Sequence, residues 1–220
     1  MRLRRKKERG EVWVSDLTSC RYKCELEVAM PHVSAVDGLR GSLVLGKLAH
    51  LGLGQVGGLN LRGEVSVEMD LNGAVLRGRV DAVVAYEDGD GVRRVEVWEL
   101  KTGRDVKDIA GSSHHVVQVW VYKLLLEALK RGEARFGEDV YESDREKVGE
   151  WLGSVESVEP VLIYVTAGRV LVVPVTRKRV EAAVRELYGF PADISVEGIL
   201  RAWQGSRVPL MGWECGYCPF

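Results

Sequence analysis

No stretch of the chain is apolar and uncharged over the roughly 18–20 residues that a membrane-spanning helix needs, so no span is expected. Net charge is missing too: 31 Lys and Arg stand against 32 Asp and Glu, a formal balance of −1. That excludes indiscriminate cation-driven binding, and a nucleic-acid partner would have to meet a local concentration of basic groups. Arg2, Arg4, Arg5, Lys6, Lys7 and Arg9 form one such concentration, although a charged terminus is more often a solvated tail. The basic start runs into Glu11 to Asp16 instead of an apolar signal-peptide core, so the expectation is an intracellular, cytoplasmic protein. Internal repeats and low-complexity tracts are absent, which removes solenoid architectures. Asn and Gln are scarce while Val, Arg and Glu abound, a leaning towards a thermophilic source. Cysteine is limited to four residues, and these are paired rather than scattered.

What the chain does have is enough apolar side chain to bury a core, 46% of 220 residues, so residues 1–220 are expected to form a single domain. Its most informative stretch runs from Val75 to Thr102. Two runs rich in β-branched residues flank Asp88-Gly89-Asp90-Gly91, a strong hairpin signal. With Gly89-Asp90-Gly91 as a three-residue loop, position 81 falls opposite 99, 83 opposite 97 and 79 opposite 101. Paired residues share a face and side chains alternate, so Asp81, Glu99 and Lys101 converge. A two-residue loop would send the two acids to opposite faces, and a β-bulge would reverse either outcome.

Two carboxylates about 5 Å apart repel by roughly 3 kcal/mol at an effective dielectric near 20. A divalent cation between them reverses the sign, and hard oxygen ligands suit Mg²⁺ or Mn²⁺. A lysine beside them can orient or deprotonate a water, or neutralise charge developing on a phosphoryl group. From these residues alone the competing reading stands equally: an exposed hairpin with solvated acids and a Glu99–Lys101 pair.

Ser15 to Ser19 supplies N-caps for a helix ending near Ala29, before Pro31, with Cys20 and Cys24 on one face. After a loop over Val33 to Gly41, a second helix from Ser42 to about Leu53 carries His50, read most simply as a core histidine. Gly52 to Gly63 leads as a loop into a strand from Glu64 to Met69. Beyond the hairpin, Thr102-Gly103-Arg104-Asp105 breaks the strand pattern. A long helix from about Ser112 to Lys130 turns Val116, Val119, Trp120, Leu124 and Leu126 towards the sheet. It sets His115, Gln118 and Tyr122 at helical spacing, and Gln118 and Tyr122 project together as either a hydrogen-bonding ledge or the edge of the core. Gly137 to Gly153 carries no motif and reads as loop or short helix. A second hairpin, Val158 to Tyr164 with Val170 to Val175, has Pro174 at an edge, and an amphipathic helix spans Arg177 to Tyr188. The fold class is α/β, a mixed central β-sheet flanked by helices.

Cys20-x3-Cys24 and Cys215-x2-Cys218 lie towards opposite ends of the chain. Four thiolates are the number needed for tetrahedral zinc or an iron-sulfur cluster, either of which would staple the two ends together. Two disulfides are the rival, disfavoured in an intracellular setting. Spacing does not separate zinc from a cluster.

Taken in order, Gly46-x3-His50, Gly78-Arg79-Val80-Asp81, Glu99-Leu100-Lys101-Thr102 and Gln118-x3-Tyr122, bracketed by cysteines, resemble the RecB-like branch of the PD-(D/E)XK nucleases. Within it, the chain resembles the small iron-sulfur exonucleases associated with CRISPR. The resemblance implies a restriction-endonuclease-like core, with 1–30 and 205–220 together forming a cluster subregion. It implies metal ligation by His50, Asp81, Glu99 and the Leu100 backbone carbonyl, Lys101 as the catalytic lysine with Asp81 and Glu99, and Gln118 and Tyr122 positioning DNA. It implies an iron-sulfur cluster on Cys20, Cys24, Cys215 and Cys218. The chain departs from the family, which places one cysteine early and three late. The usual [4Fe-4S] and a [2Fe-2S] cluster therefore both stay open. Val80 also stands where the family name has proline.

The implied activity is Mn²⁺- or Mg²⁺-dependent 5′ to 3′ trimming of single-stranded DNA, or of DNA ends, for CRISPR spacer acquisition. CRISPR integrase proteins are the implied partners. Two rivals remain: a non-catalytic adaptor that binds DNA ends, and a nuclease of general DNA repair.

Overall fold

The computed structural model describes residues 10–30, 52, 60–71, 73–88, 91–102, 112–166, 169–207, 209–211 and 214–217. The basic run before Glu11, most of the expected second helix with His50, and Cys218 lie outside the described residues. Seven strands form one mixed sheet: β1 (Glu11–Trp13), β2 (Asn60–Leu71), β3 (Ala74–Asp88), β4 (Gly91–Thr102), β5 (Arg135–Phe136), β6 (Val158–Val165) and β7 (Val170–Pro174). The order across the sheet is β5-β2-β3-β4-β6-β7, with β1 paired to β3. β4 runs parallel to β6 and β1 parallel to β3, and the other pairs are antiparallel. The α-helices whose bounds fall among the described residues are α1 (Arg21–Ala29), α2 (Ser113–Lys130), α3 (Glu142–Ser154), α4 (Arg177–Tyr188) and α5 (Val196–Gly205).

The central hairpin corrects the expected turn. Asp88 pairs with Gly91, leaving a two-residue loop, which taken alone would have put Asp81 and Glu99 on opposite faces. A bulge repairs it: Glu87 pairs with Val92 and Tyr86 with Arg94, so Arg93 is the extra residue on β4. From there the register is the expected one, with Val83 opposite Val97.

The β3–β4 ladder then stops at Ala82 and Trp98. β4 follows β6 as far as Thr102 and Val165, while the edge of β3 that it leaves is taken up by β1 at Val75 to Arg77. The expected pairs 81 with 99 and 79 with 101 are therefore not ladder pairs, and the two strands part in a fork beyond Ala82 and Trp98. β3 also slips its alternation here. Leu76 and Val80 lie in the core, and so do Val83 and Ala85, an even-to-odd change that brackets Asp81. The β2 ladder skips the same place, passing from Val65–Val80 to Gly63–Ala82. Glu64, left between them, is the non-glycine residue with positive φ among those described, at 53°, a conformation that costs energy for a side chain with a Cβ.

Helix α2 is buried over more of its circumference than an amphipathic stripe requires. His115 to Tyr122, Leu125, Leu126 and Ala128 are all buried, while Leu124 packs on the core from a half-buried position. It lies between the sheet and the terminal helices, and the Trp120 indole donates to the Ile194 carbonyl at 2.9 Å. α4 has the bounds read from the sequence, with the Thr176 side chain capping its first turn, and β7 is the edge strand that Pro174 suggested. The acidic stretch read as loop or short helix contains α3, while β1, β5 and α5 carried no expectation.

Candidate active site

Asp81 sits at the mouth of the fork. Where a β3 carbonyl would have taken the next ladder hydrogen bond, the Leu100 N–H donates instead to Asp81 Oδ2 at 2.7 Å. A short side-chain acceptor thus replaces the missing rung and satisfies a backbone donor in a buried strand. β4 carries Glu99 and Lys101 on the face that Val95 and Val97 turn to the core. Glu99 is only 3% exposed, and its Oε1 lies 2.6 Å from Lys101 Nζ.

The other contact of that ammonium comes from α2: Lys101 Nζ donates to Gln118 Oε1 at 3.1 Å, and Gln118 Nε2 donates to the Tyr122 hydroxyl at 3.1 Å. The pair projecting from one helical face is a hydrogen-bonding ledge tied to the lysine. Burial works to lower the affinity of Lys101 for its proton, but Glu99, then Asp81 and Tyr164, outweigh it and hold the ammonium above its ordinary range. Asp81, Glu99, Lys101, Gln118 and Tyr122 are therefore brought together, at the junction of β3, β4 and α2.

Three further side chains line this place. His114 Nδ1 is 2.6 Å from Ser112 Oγ; burial, with the Lys101 charge second, pushes its imidazole down to about 4. His115 Nδ1 lies 3.4 Å from the hydroxyl of Tyr164, which is the register partner of Lys101 on β6. His115 was visible as one turn before Gln118. Tyr164 had a signal too, as a lone hydroxyl in the apolar run Val-Leu-Ile-Tyr-Val, but its neighbour follows only from the β4–β6 register.

The donor chemistry fits a hard divalent cation, since Asp81 and Glu99 both offer carboxylate oxygens beside Lys101. Among the described residues no group of three His, Cys, Asp or Glu is gathered tightly enough to hold a metal by itself, and the expected third side-chain ligand, His50, lies outside them.

The two cysteine-bearing segments also meet. Cys20 occupies the N-cap position of α1, and the Cys24 N–H donates to its carbonyl at 3.2 Å. The Cys20 N–H donates to Glu214 Oε1 at 2.7 Å. Glu214 belongs to the single turn Glu214–Tyr217 that carries Cys215, and its Oε2 accepts from the Met211 N–H at 2.7 Å. Tyr188 donates to the Leu17 carbonyl at 2.8 Å and Trp203 to that of Ser19 at 2.9 Å. Three successive C-terminal elements thus hold residues 17–20. Cys24 packs in the main core. The segments suit a shared thiolate site in donor type and in the joining of the chain, while the three described thiols do not themselves converge into a ligand group.

A mixed sheet with a forked central hairpin, paired carboxylates and a lysine under a Gln-x3-Tyr helix defines a class, the metal-dependent nucleases of PD-(D/E)XK type. The sequence profile of the PD-(D/E)XK nuclease superfamily matches residues 55–220: the chain belongs to that superfamily and is a metal-dependent nuclease. More particularly, it is similar to the CRISPR-associated exonuclease Cas4 of Saccharolobus solfataricus, 26% identical over 220 residues that cover 97% of this chain and 87% of that relative. Among solved structures it resembles the one described as the crystal structure of SSO0001, with a TM-score of 0.63, 25% identity, and coverage of 97% of this chain and 85% of that one. The superfamily match takes in Asp81, Glu99, Lys101, Gln118, Tyr122, Cys215 and Cys218, and begins after His50, Cys20 and Cys24.

Proposed function

We propose that the chain trims single-stranded DNA in the 5′ to 3′ direction, and that the ends it makes serve CRISPR spacer acquisition in company with integrase proteins. The observation that carries the chemistry is the meeting of Asp81 and Glu99 at one lysine, held by Gln118, where the hairpin forks. In this reading Asp81, Glu99, His50 and the Leu100 backbone carbonyl are the metal ligands. When bound, Mn²⁺ or Mg²⁺ would polarise a phosphoryl oxygen and acidify a water. Asp81 and Glu99 bring the negative charge that holds the cation, and Lys101 neutralises charge developing on the phosphoryl group or orients the attacking water. Gln118 fixes the lysine from above, and Tyr122 extends the ledge along which the strand is threaded. The similarity to an exonuclease over almost the whole chain supports the trimming activity.

Asp81→Ala and Lys101→Ala, made separately, are each expected to lower metal-dependent cleavage about a thousandfold or more while the thermal midpoint stays that of a folded protein. Cleavage left intact by both substitutions would remove this chemistry. Substrates blocked at either end test polarity: a 5′ block should protect and a 3′ block should not.

The same reading assigns Cys20, Cys24, Cys215 and Cys218 to an iron-sulfur cluster, [4Fe-4S] or [2Fe-2S], within a subregion of residues 1–30 and 205–220. The bond from Cys20 to Glu214 across the junction of the two segments supports it. Visible absorption of anaerobically purified protein is the test, and a colourless preparation with stoichiometric zinc would overturn the cluster.

A further inference from the structure

We infer that Tyr164, held by His115, is a positioning residue for Lys101, extending the active-site ledge across a third strand. The inference rests on the reading of Lys101 as the catalytic lysine. His115, Gln118 and Tyr122 lie at i, i+3 and i+7 on one face of α2, and each meets a different strand. His115 meets Tyr164 of β6, Gln118 meets Lys101 of β4, and Tyr122 lies over Gly78 of β3. Lys101 and Tyr164 are register partners on neighbouring parallel strands, so their side chains leave the sheet side by side, from backbones about 4.8 Å apart. The tyrosine is therefore the lysine's neighbour on the same face of the sheet.

Full burial of a phenol is what makes the arrangement informative. Tyr164 has 0% exposure and His115 is buried with it. A buried hydroxyl costs stability unless it is bonded, and an apolar residue of similar size avoids that cost. The flanking β6 residues Leu162 and Ile163 are apolar and buried, and a phenylalanine at 164 would complete that pattern. Instead the hydroxyl meets His115 Nδ1 at 3.4 Å, with the ring centroids 5.8 Å apart. The register thus sets an anchored ring next to Lys101, while Glu99 and Gln118 hold its ammonium. The long, flexible lysine stem is left with one position rather than several.

The experiment is single-turnover cleavage of single-stranded DNA in Mn²⁺, with DNA affinity measured separately, for wild type, Tyr164→Phe, His115→Phe and Lys101→Met. Tyr164→Phe keeps the ring and removes only the hydroxyl. It is expected to slow the cleavage step about tenfold, less than the hundredfold that a full ångström of misplacement can cost, with DNA affinity within about twofold of wild type. His115→Phe should show the same split, and it decides the matter should Tyr164→Phe fold poorly. A purely structural pair would lower the thermal midpoint and leave the cleavage step of the folded protein untouched. That outcome, with Lys101→Met inactive, overturns the inference and leaves the active-site reading standing. Full activity of Lys101→Met would overturn the reading itself.

Discussion

A Cβ added at Gly78 would lie 2.8 Å from Leu125 Cδ1 and 3.1 Å from the Tyr122 ring. The first distance is closer than real side chains approach, so glycine at the head of Gly78-Arg79-Val80-Asp81 is what lets α2 descend onto β3. Gly78→Ala is expected to destabilise the fold by about 1–3 kcal/mol, in the range of overpacked cores. Because Tyr122 must shift and Gln118 is bonded to it, cleavage should fall as well. Urea unfolding and a cleavage assay on the same preparation check both effects. A neutral His114, pushed down from 6.5 to about 4 chiefly by burial and then by Lys101, gives a pH dependence. The unfolded chain takes up its proton first, so stability should fall as pH drops through about 6.5 towards 4, and level off below that. His114→Gln should flatten this loss, which on the order of 1–3 kcal/mol is large enough to follow by unfolding at pH 7 and pH 4.5. An unchanged pH profile in the variant would place the titrating group elsewhere.

The hairpin is where sequence and structure can be compared most closely. Alternation with a three-residue loop sets Asp81, Glu99 and Lys101 together in the sequence, whereas the structure has a two-residue loop and reaches the register of Val83 with Val97 only through the bulge. The loop length was not legible: Gly89-Asp90-Gly91 serves equally well in two- or three-residue turns, and the bulge at Arg93 absorbs the difference. Nor was the fork, since it depends on β1 arriving from the start of the chain to pair with Val75 to Arg77. Arg77 shows how that arrival is secured, bonding Glu11 of β1 at 2.9 Å and Glu68 of β2 as well. A one-residue buffer has a consequence that deletions can read. Removing Arg93 should leave the pairs beyond Tyr86–Arg94 intact and cleavage within about tenfold of wild type. Removing Arg93 and Arg94 together leaves no bulge to absorb the second loss and should abolish cleavage. Equal activity of the two deletions would mean that the hairpin does not set the site.

Over the whole molecule, one chain carries a nuclease centre at the fork of the sheet and a thiol-bearing junction built from helix and turn segments. The meeting of those segments could be read from two cysteine pairs 195 positions apart, Cys20 and Cys215. The means could not: Glu214, Trp203 and Tyr188 act on backbone groups of Cys20, Ser19 and Leu17, and no local pattern announces such contacts. α5 escaped for a related reason, since its ten residues Val196–Gly205 are short and lie beyond the Gly-Phe-Pro break. Glu214→Gln keeps the shape but turns one acceptor into a donor that faces an N–H. It should cost about 1–3 kcal/mol, the worth of a buried bond to a charged acceptor, and should speed protease cleavage near both ends of the chain. No change in either would mean that the junction is held by something else.

The most direct test of the central claim is the anomalous difference map of a crystal soaked in Mn²⁺. The expected result is a peak touching carboxylate oxygens of both Asp81 and Glu99, at about the 2.1 Å of a small hard cation, with Lys101 beside it. Carboxylates pointing to opposite faces of the sheet, or a peak bound by neither, would contradict the account.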